Sequence, residues 1–178
     1  MRARLNLAGL LFLSFSFLYS DYDSNLELAI EDLYNFRFES SIKMVNKLAD
    51  DFPSDPVLPF MRVSLQWQQS LFNENPESSY SVIEEGIEKL VPFYLEMIDK
   101  YPDNQRYNLF LGSLYGLKAR IDLAQSRWMD LLLSGARGYR YIDKARRLDP
   151  FLHDVNMPIG SLEDFLCRSG APLQFVGK

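Results

Sequence analysis

Cysteine and histidine are nearly missing from this 178-residue chain, each occurring once, as Cys167 and His153. One thiol closes no intramolecular disulfide, so packing alone must hold the fold. Beside Phe165 and Leu166 it reads as a small apolar filler. One imidazole supplies no histidine pair for zinc and no H-E-x-x-H helix, and His153 reads as a residue of a solvated turn. The glycines form neither a G-x-S-x-G elbow nor a phosphate-cradling loop. With 19 basic against 24 acidic residues, the chain lacks the concentrated positive charge that sequence-independent nucleic-acid binding requires. Its acidic clusters, Asp21-Tyr22-Asp23 and residues 50 to 55, have neither the ligand spacing nor the glycine of a calcium loop. The expectation is a protein without metal, cofactor or nucleic acid, and not an enzyme. Asp50-Asp51 and Glu84-Glu85-Glu88 read as solvated helix faces. The enzymatic alternative they leave open is a helical-hairpin hydrolase or lyase acting on cell-wall polysaccharide, with one of Glu84, Glu85 or Glu88 as acid.

What is present begins with an unusual N-terminus. Arg2 and Arg4 precede an apolar run from Leu5 to Tyr19, which has the form of an export signal. At helical rise this run spans about 22 Å, short of the roughly 30 Å hydrocarbon core. Residues 1–20 are therefore expected to be a signal peptide cut near Ser20, with an uncleaved anchor as the alternative. No cysteine follows the run to accept a lipid. Residues 21–178 are expected to form one domain, exported to the periplasm or cell envelope. Charge divides unevenly along it. Asp21 to Pro102 carries 16 acidic and 6 basic residues, whereas Asp103 to Pro150 carries 5 acidic and 9 basic.

The chain also repeats itself. Pro53, Pro102 and Pro150 close helix-like segments 49 and 48 residues apart, and Gly112-Ser113-Leu114 returns 48 residues later as Gly160-Ser161-Leu162. Such periods belong to stacked helical hairpins. In the first unit a capping box, Ser24-Asn25-Leu26-Glu27, predicts a helix start. Leu26, Ala29 and Leu33, then Ile42, Val45 and Leu48 after a turn near Phe36 to Glu39, predict two paired helices. The second unit predicts a helix over 57–71, a break at 73–76 with Asn75 as cap, and a long segment to Tyr101 kinked or broken near Val91 by Pro92. In the third unit Phe110, Leu114, Leu117, Ile121 and Ala124 face Trp128, Leu131, Gly135, Gly138, Ile142 and Ala145. Gly112, Gly116, Gly135 and Gly138 predict a close seam between those helices, since each glycine costs roughly 0.5–1 kcal/mol inside a helix. A fourth unit shows one helix from about Val155 to Arg168.

These residues resemble a tetratricopeptide repeat protein. The family pattern W-x2-L-G-x2-Y, A-x3-F, P is matched in the third unit by Leu111-Gly112-Ser113-Leu114-Tyr115 and closed by Pro150, with Asn108 at the tryptophan position. Gly138, Ile142 and Ala145 take the small and aromatic positions of the second helix; in the first unit Ser41, Val45, Leu48 and Ala29 correspond. The period exceeds the 34 residues of the family unit, and the chain looks like exported bacterial repeat proteins with lengthened helices. The resemblance implies an all-α fold of about seven helices, stacked as antiparallel hairpins in a solenoid, the last repeat incomplete. It also implies a scaffold or adaptor role. In such stacks the first helix of each hairpin lines the concave face, which by register places Phe60, Ser64 and Trp67, then Arg106, Leu109 and Ser113, on the binding surface. Lys118, Arg120 and Arg127 extend a basic rim suited to carboxylates. The expected partner is a protein or peptide; the alternative is a membrane-anchored subunit of an envelope assembly, touching the membrane only if the N-terminal segment stays attached.

Overall fold

The computed structural model describes residues 7–73, 76–156 and 158–160. These residues are helical, without strands: α1 (Leu7–Tyr34), α2 (Phe38–Asp51), α3 (Val57–Asn73), α4 (Pro76–Lys100), α5 (Gln105–Ala124) and α6 (Trp128–Leu148), then a 3-10 turn at His153–Val155. The three repeat prolines stop helices as their ring chemistry requires, each two residues beyond a helix end: Asp51 before Pro53, Lys100 before Pro102, Leu148 before Pro150. The final backbone bonds share one pattern, from Phe52 N–H to Leu48 C=O, Tyr101 N–H to Met97 C=O and Asp149 N–H to Ala145 C=O.

The chain divides into two compact units at Leu65/Gln66. In the first, α1 and α2 pair as a hairpin around Tyr22, Ala29, Val45 and Leu48, joined by Leu58, Met61 and Leu65 of α3. Ser41, fully buried, donates its hydroxyl to the carbonyl of Ala29 at 2.6 Å, which removes a polar group from an apolar core without leaving it unpaired. In the second unit α4 packs on α5 through buried Tyr94 and Tyr107, whose ring centroids lie 6.5 Å apart. The α5 and α6 helices form the tightest pair. Leu109, Ile142, Ala145, Val155 and Ile159 make its core at one end, and partners fall in α6 number as they rise in α5, so the helices run antiparallel.

The seam of that pair rests on two glycines. A Cβ on Gly112 would stand 2.5 Å from Ile142 Cγ1 and 2.9 Å from the Gly138 carbonyl oxygen; one on Gly138 would stand 3.0 Å from the Gly112 oxygen. Backbone therefore touches backbone there, with dispersion contacts no larger residue permits. Gly116 and Gly135 differ: an added Cβ would meet nothing within 4 Å, so the four-glycine seam narrows to Gly112 and Gly138.

Other expectations need correction. The helix does not start at Ser24, since α1 already runs continuously through it and Asn25 bonds back to the Asp21 carbonyl. Residues inside a helix have their amides paired, so the capping box has nothing to cap. Pro92 does not break α4; both it and Glu88, whose carbonyl it leaves without a partner, are exposed, so water satisfies that group. Trp128 does not join the facing stripe but lies largely in solvent. The expected cap at Asn75, Cys167, and the last helix beyond Gly160 lie outside the described residues.

Candidate binding surface

The two hairpin turns share a construction. Asp32-Leu33-Tyr34-Asn35-Phe36-Arg37-Phe38 and Asp122-Leu123-Ala124-Gln125-Ser126-Arg127-Trp128 have the form D-L-x-N/Q-x-R-aromatic, 90 positions apart. In each, the fifth residue adopts a left-handed backbone, φ 60° at Phe36 and 59° at Ser126. Its amide bonds the Leu33 or Leu123 carbonyl, and the next amide bonds the Asp32 or Asp122 carbonyl. This is a Schellman closure made without glycine. The arginine side chain then folds onto the buried aspartate: Arg37 to Asp32 Oδ1 at 2.6 Å, Arg127 to Asp122 Oδ1 at 2.7 Å. Hydrogen bonds from Ser40 and then Arg37 hold the Asp32 carboxyl below its ordinary range. In the second turn Asp122 is fully enclosed and takes further bonds from Ser134 Oγ at 3.0 Å and Lys118 Nζ at 3.1 Å, while Arg127 also pairs with Glu84. The Glu84 bond is the main cause raising the Arg127 pKa.

This turn chemistry removes two residues from the expected basic rim. Lys118 and Arg127 are both held by Asp122, so their charge is compensated. Of that rim Arg120 remains, alongside Arg106 and Ser113 from the expected concave face. They recur every seven residues along one side of α5, with Phe110, Gly116 and Leu117 between them, all half-exposed or exposed. Ser113 donates to its own helix at the Leu109 carbonyl, 2.9 Å away, which leaves the hydroxyl oxygen its capacity to accept. Leu109 is not on this open side; it is 4% exposed and belongs to the core with Ile142 and Val155. It borders the stripe, but the 3-10 turn region covers it.

On α3, Phe60 and Ser64 are half-buried and lie in the first unit, while Trp67 falls in the second. Trp67 is 5% exposed, so it is not an open aromatic platform. What covers it is informative: the Arg120 guanidinium sits 5.6 Å from its ring centroid, a cation–π pair. The Trp67 indole Nε1 is enclosed with no acceptor among the described residues. Beside Arg120 it forms a donor-rich spot that a carboxylate or peptide carbonyl would complement.

Within the acidic cluster on α4, Glu85 has the opposite electrostatics to a proton donor. Glu85 is bonded by Lys89 at 2.5 Å, and this bond holds its pKa down, whereas a general acid needs it raised. Sequence reasoning missed a second feature, the exposed apolar side of α6 formed by Trp128, Met129, Leu132 and Leu133. Its signal was legible as an i, i+1, i+4, i+5 stripe. Compared with models of known protein families, with curated proteins and with solved structures, the chain matches none.

Proposed function

We propose that the protein is a non-catalytic, exported helical scaffold, its hairpins stacked in the manner of tetratricopeptide repeats, that binds a protein or peptide in the cell envelope on the open side of α5. The observation that carries this reading is the Trp67–Arg120 pair: an enclosed indole N–H lacking an acceptor, roofed by an exposed guanidinium. A buried donor without partner costs roughly 1–3 kcal/mol, and an acidic or carbonyl-bearing segment reaching under Arg120 relieves that cost. Arg106, 14 residues back on the same side of α5, gives such a segment a second charged anchor about 21 Å along the helix, which is the reach of an extended peptide of six or seven residues. Affinity capture from the protein's own envelope fraction, comparing wild type with Arg106→Ala and Arg120→Ala, tests this. The proposal requires a partner that both substitutions release; identical capture by all three removes α5 as the binding side.

A second reading, a membrane-anchored assembly subunit, is favoured by one observation: α1 runs unbroken from Leu7 to Tyr34, joining the apolar run to the first unit. No described helix is long and apolar enough to cross a membrane. N-terminal sequencing of the mature protein separates the readings, an intact Met1 supporting attachment and a start near Asp21 supporting release.

A further inference from the structure

The two hairpins share a turn, so each serves as a control for the other. At the start of α2, Phe38 is buried, Ile42 joins the core, and the exposed positions are Glu39 and Lys43. At the start of α6 the equivalent positions, 90 residues on, are Trp128 (61% exposed), Leu132 (57%), Met129 (70%) and Leu133 (53%). At two of these positions the first hairpin carries exposed Glu39 and Lys43, so the turn does not require Met129 and Leu133 to be apolar; at the other two, Phe38 and Ile42 are packed where Trp128 and Leu132 stand open. A contiguous exposed apolar face of this kind marks a contact surface.

Charge identifies what it contacts. Along α6 beyond the apolar positions come Arg137, Arg140, Lys144, Arg146 and Arg147, all exposed, against one acid, Asp143, which is bonded to Arg146 and Arg147. The remaining acid, Asp130, lies about 130° around the helix from the middle of the apolar face, on the side where Arg137 stands, while Arg140 lies within about 50° of that middle. The apolar residues occupy the turn end of the hairpin, within about 8 Å of axial rise, and Arg137 and Arg140 follow roughly 14 and 18 Å from Trp128. Amphipathic helices lie in the plane of a bilayer interface with the apolar side sunk by about 5–10 Å, tryptophan at the boundary and cations among the headgroups. Trp128, Met129, Leu132 and Leu133 supply such an apolar side at the turn, and the cations Arg137 and Arg140 follow it.

We infer that the turn end of the α5–α6 hairpin is a wedge that docks on an anionic phospholipid surface, with Trp128, Met129, Leu132 and Leu133 entering the interface and Arg137 and Arg140 engaging lipid phosphates. This surface is separate from the open side of α5, so the inference stands whether or not that side binds a partner.

The two tryptophans make the test direct. Trp128 is exposed and Trp67 buried, so in the full chain carrying Trp67→Phe the emission reports Trp128 alone. Vesicles of phosphatidylglycerol and phosphatidylcholine should shift this emission to the blue, and brominated acyl chains should quench it; in the Trp128→Phe chain neither effect should occur. Arg137→Gln with Arg140→Gln should weaken the shift-monitored partition about 25-fold, at roughly fivefold per cation near an anionic surface. Leu132→Ser with Leu133→Ser, both exposed and so compatible with folding by circular dichroism, should abolish it. Three results overturn the inference: vesicle binding with Trp128 unquenched, which assigns attachment to the N-terminal apolar run; an equal shift on pure phosphatidylcholine; or a blue-shifted emission without lipid that depends on protein concentration, which assigns the face to a second copy or another protein.

Discussion

Gly112→Ala and Gly116→Ala place the same methyl group in the same helix four residues apart, and the structure requires opposite outcomes. Alanine is favoured over glycine in a helix interior by roughly 0.5–1 kcal/mol. At Gly116 nothing lies within 4 Å of the new Cβ, so that gain is realised in full. At Gly112 the methyl lands 2.5 Å from Ile142 Cγ1 and 2.9 Å from the Gly138 carbonyl oxygen. Ile142 is β-branched and 5% exposed, which leaves it little freedom to turn aside, and the carbonyl belongs to the α6 backbone. Overpacking of this kind costs about 1–3 kcal/mol, so after the propensity gain Gly112→Ala should destabilise by about 1–2 kcal/mol. Urea unfolding followed by helical circular dichroism measures both, with midpoints moving in opposite directions at unchanged slope. The melting temperatures should separate by several degrees, at roughly 2–4 °C per kcal/mol for a chain of this size. Gly112→Ala stabilising as Gly116→Ala does would refute the close seam, because propensity would then be the only force acting at both positions.

The other predictions concern the turns and the charges. Gly138→Ala, with a new Cβ 3.0 Å from the Gly112 carbonyl oxygen, should also destabilise in urea unfolding, though less than Gly112→Ala, while Gly135→Ala should stabilise. Ser126→Gly relieves a left-handed backbone at φ 59° and should raise stability by about 0.5 kcal/mol, the cost of that conformation less the entropy of glycine; a loss in the melting curve would count against the Schellman closure. Asp122→Asn removes the charge that Arg127 and Lys118 share and turns one of the two acceptor oxygens into a donor, and should cost about 3 kcal/mol, the low end for a broken buried pair because both cations keep access to water. For Asp143, burial pushes the carboxyl up, but hydrogen bonds from Arg146 and Arg147 outweigh it and leave the pKa below 3.8. The folded pKa is depressed, so its contribution is present above the ordinary carboxylate range and lost as pH falls through the lower folded value. Asp143→Asn should therefore flatten the acid limb of the stability curve below about pH 4 and leave its shape at neutral pH unchanged.

Much of the architecture was legible because it rests on local chemistry. Pro53, Pro102 and Pro150 stop helices, and the apolar steps from Phe110 to Ala145 are a property of helical pitch, so the ends of α2, α4 and α6 and the pairing of α5 with α6 could be read; the start of α1 and the continuity of α4 through Pro92 could not. The errors share a cause. Glycine content predicted a seam of four, but only the direction of each missing Cβ decides which glycine matters, and that direction depends on the rotation of α5 against α6. Likewise, Leu109 and Ser113 stand four apart and seem to share a face, yet the segment after Pro150 covers one and not the other. Lys118 and Arg127 looked like free cations because Asp122 reads as a surface acid until its burial is known. The D-L-x-N/Q-x-R signature at Asp32 and Asp122 was visible in the sequence, but its meaning, a buried carboxylate clasped across a left-handed turn, comes from three dimensions. Trp128 was assigned inward by periodicity alone; the same period places Phe38 inside and Trp128 outside in two hairpins with one turn.

The most direct test of the proposed binding surface is a photo-crosslinking amino acid in place of Ser113, between Arg106 and Arg120, activated in living cells that make the protein. The account predicts a discrete covalent adduct to one protein or peptide, absent when the same group replaces exposed Asn46 on α2 and lost on adding Arg120→Ala. No adduct at 113, or one that persists unchanged without the Arg120 guanidinium, would contradict it.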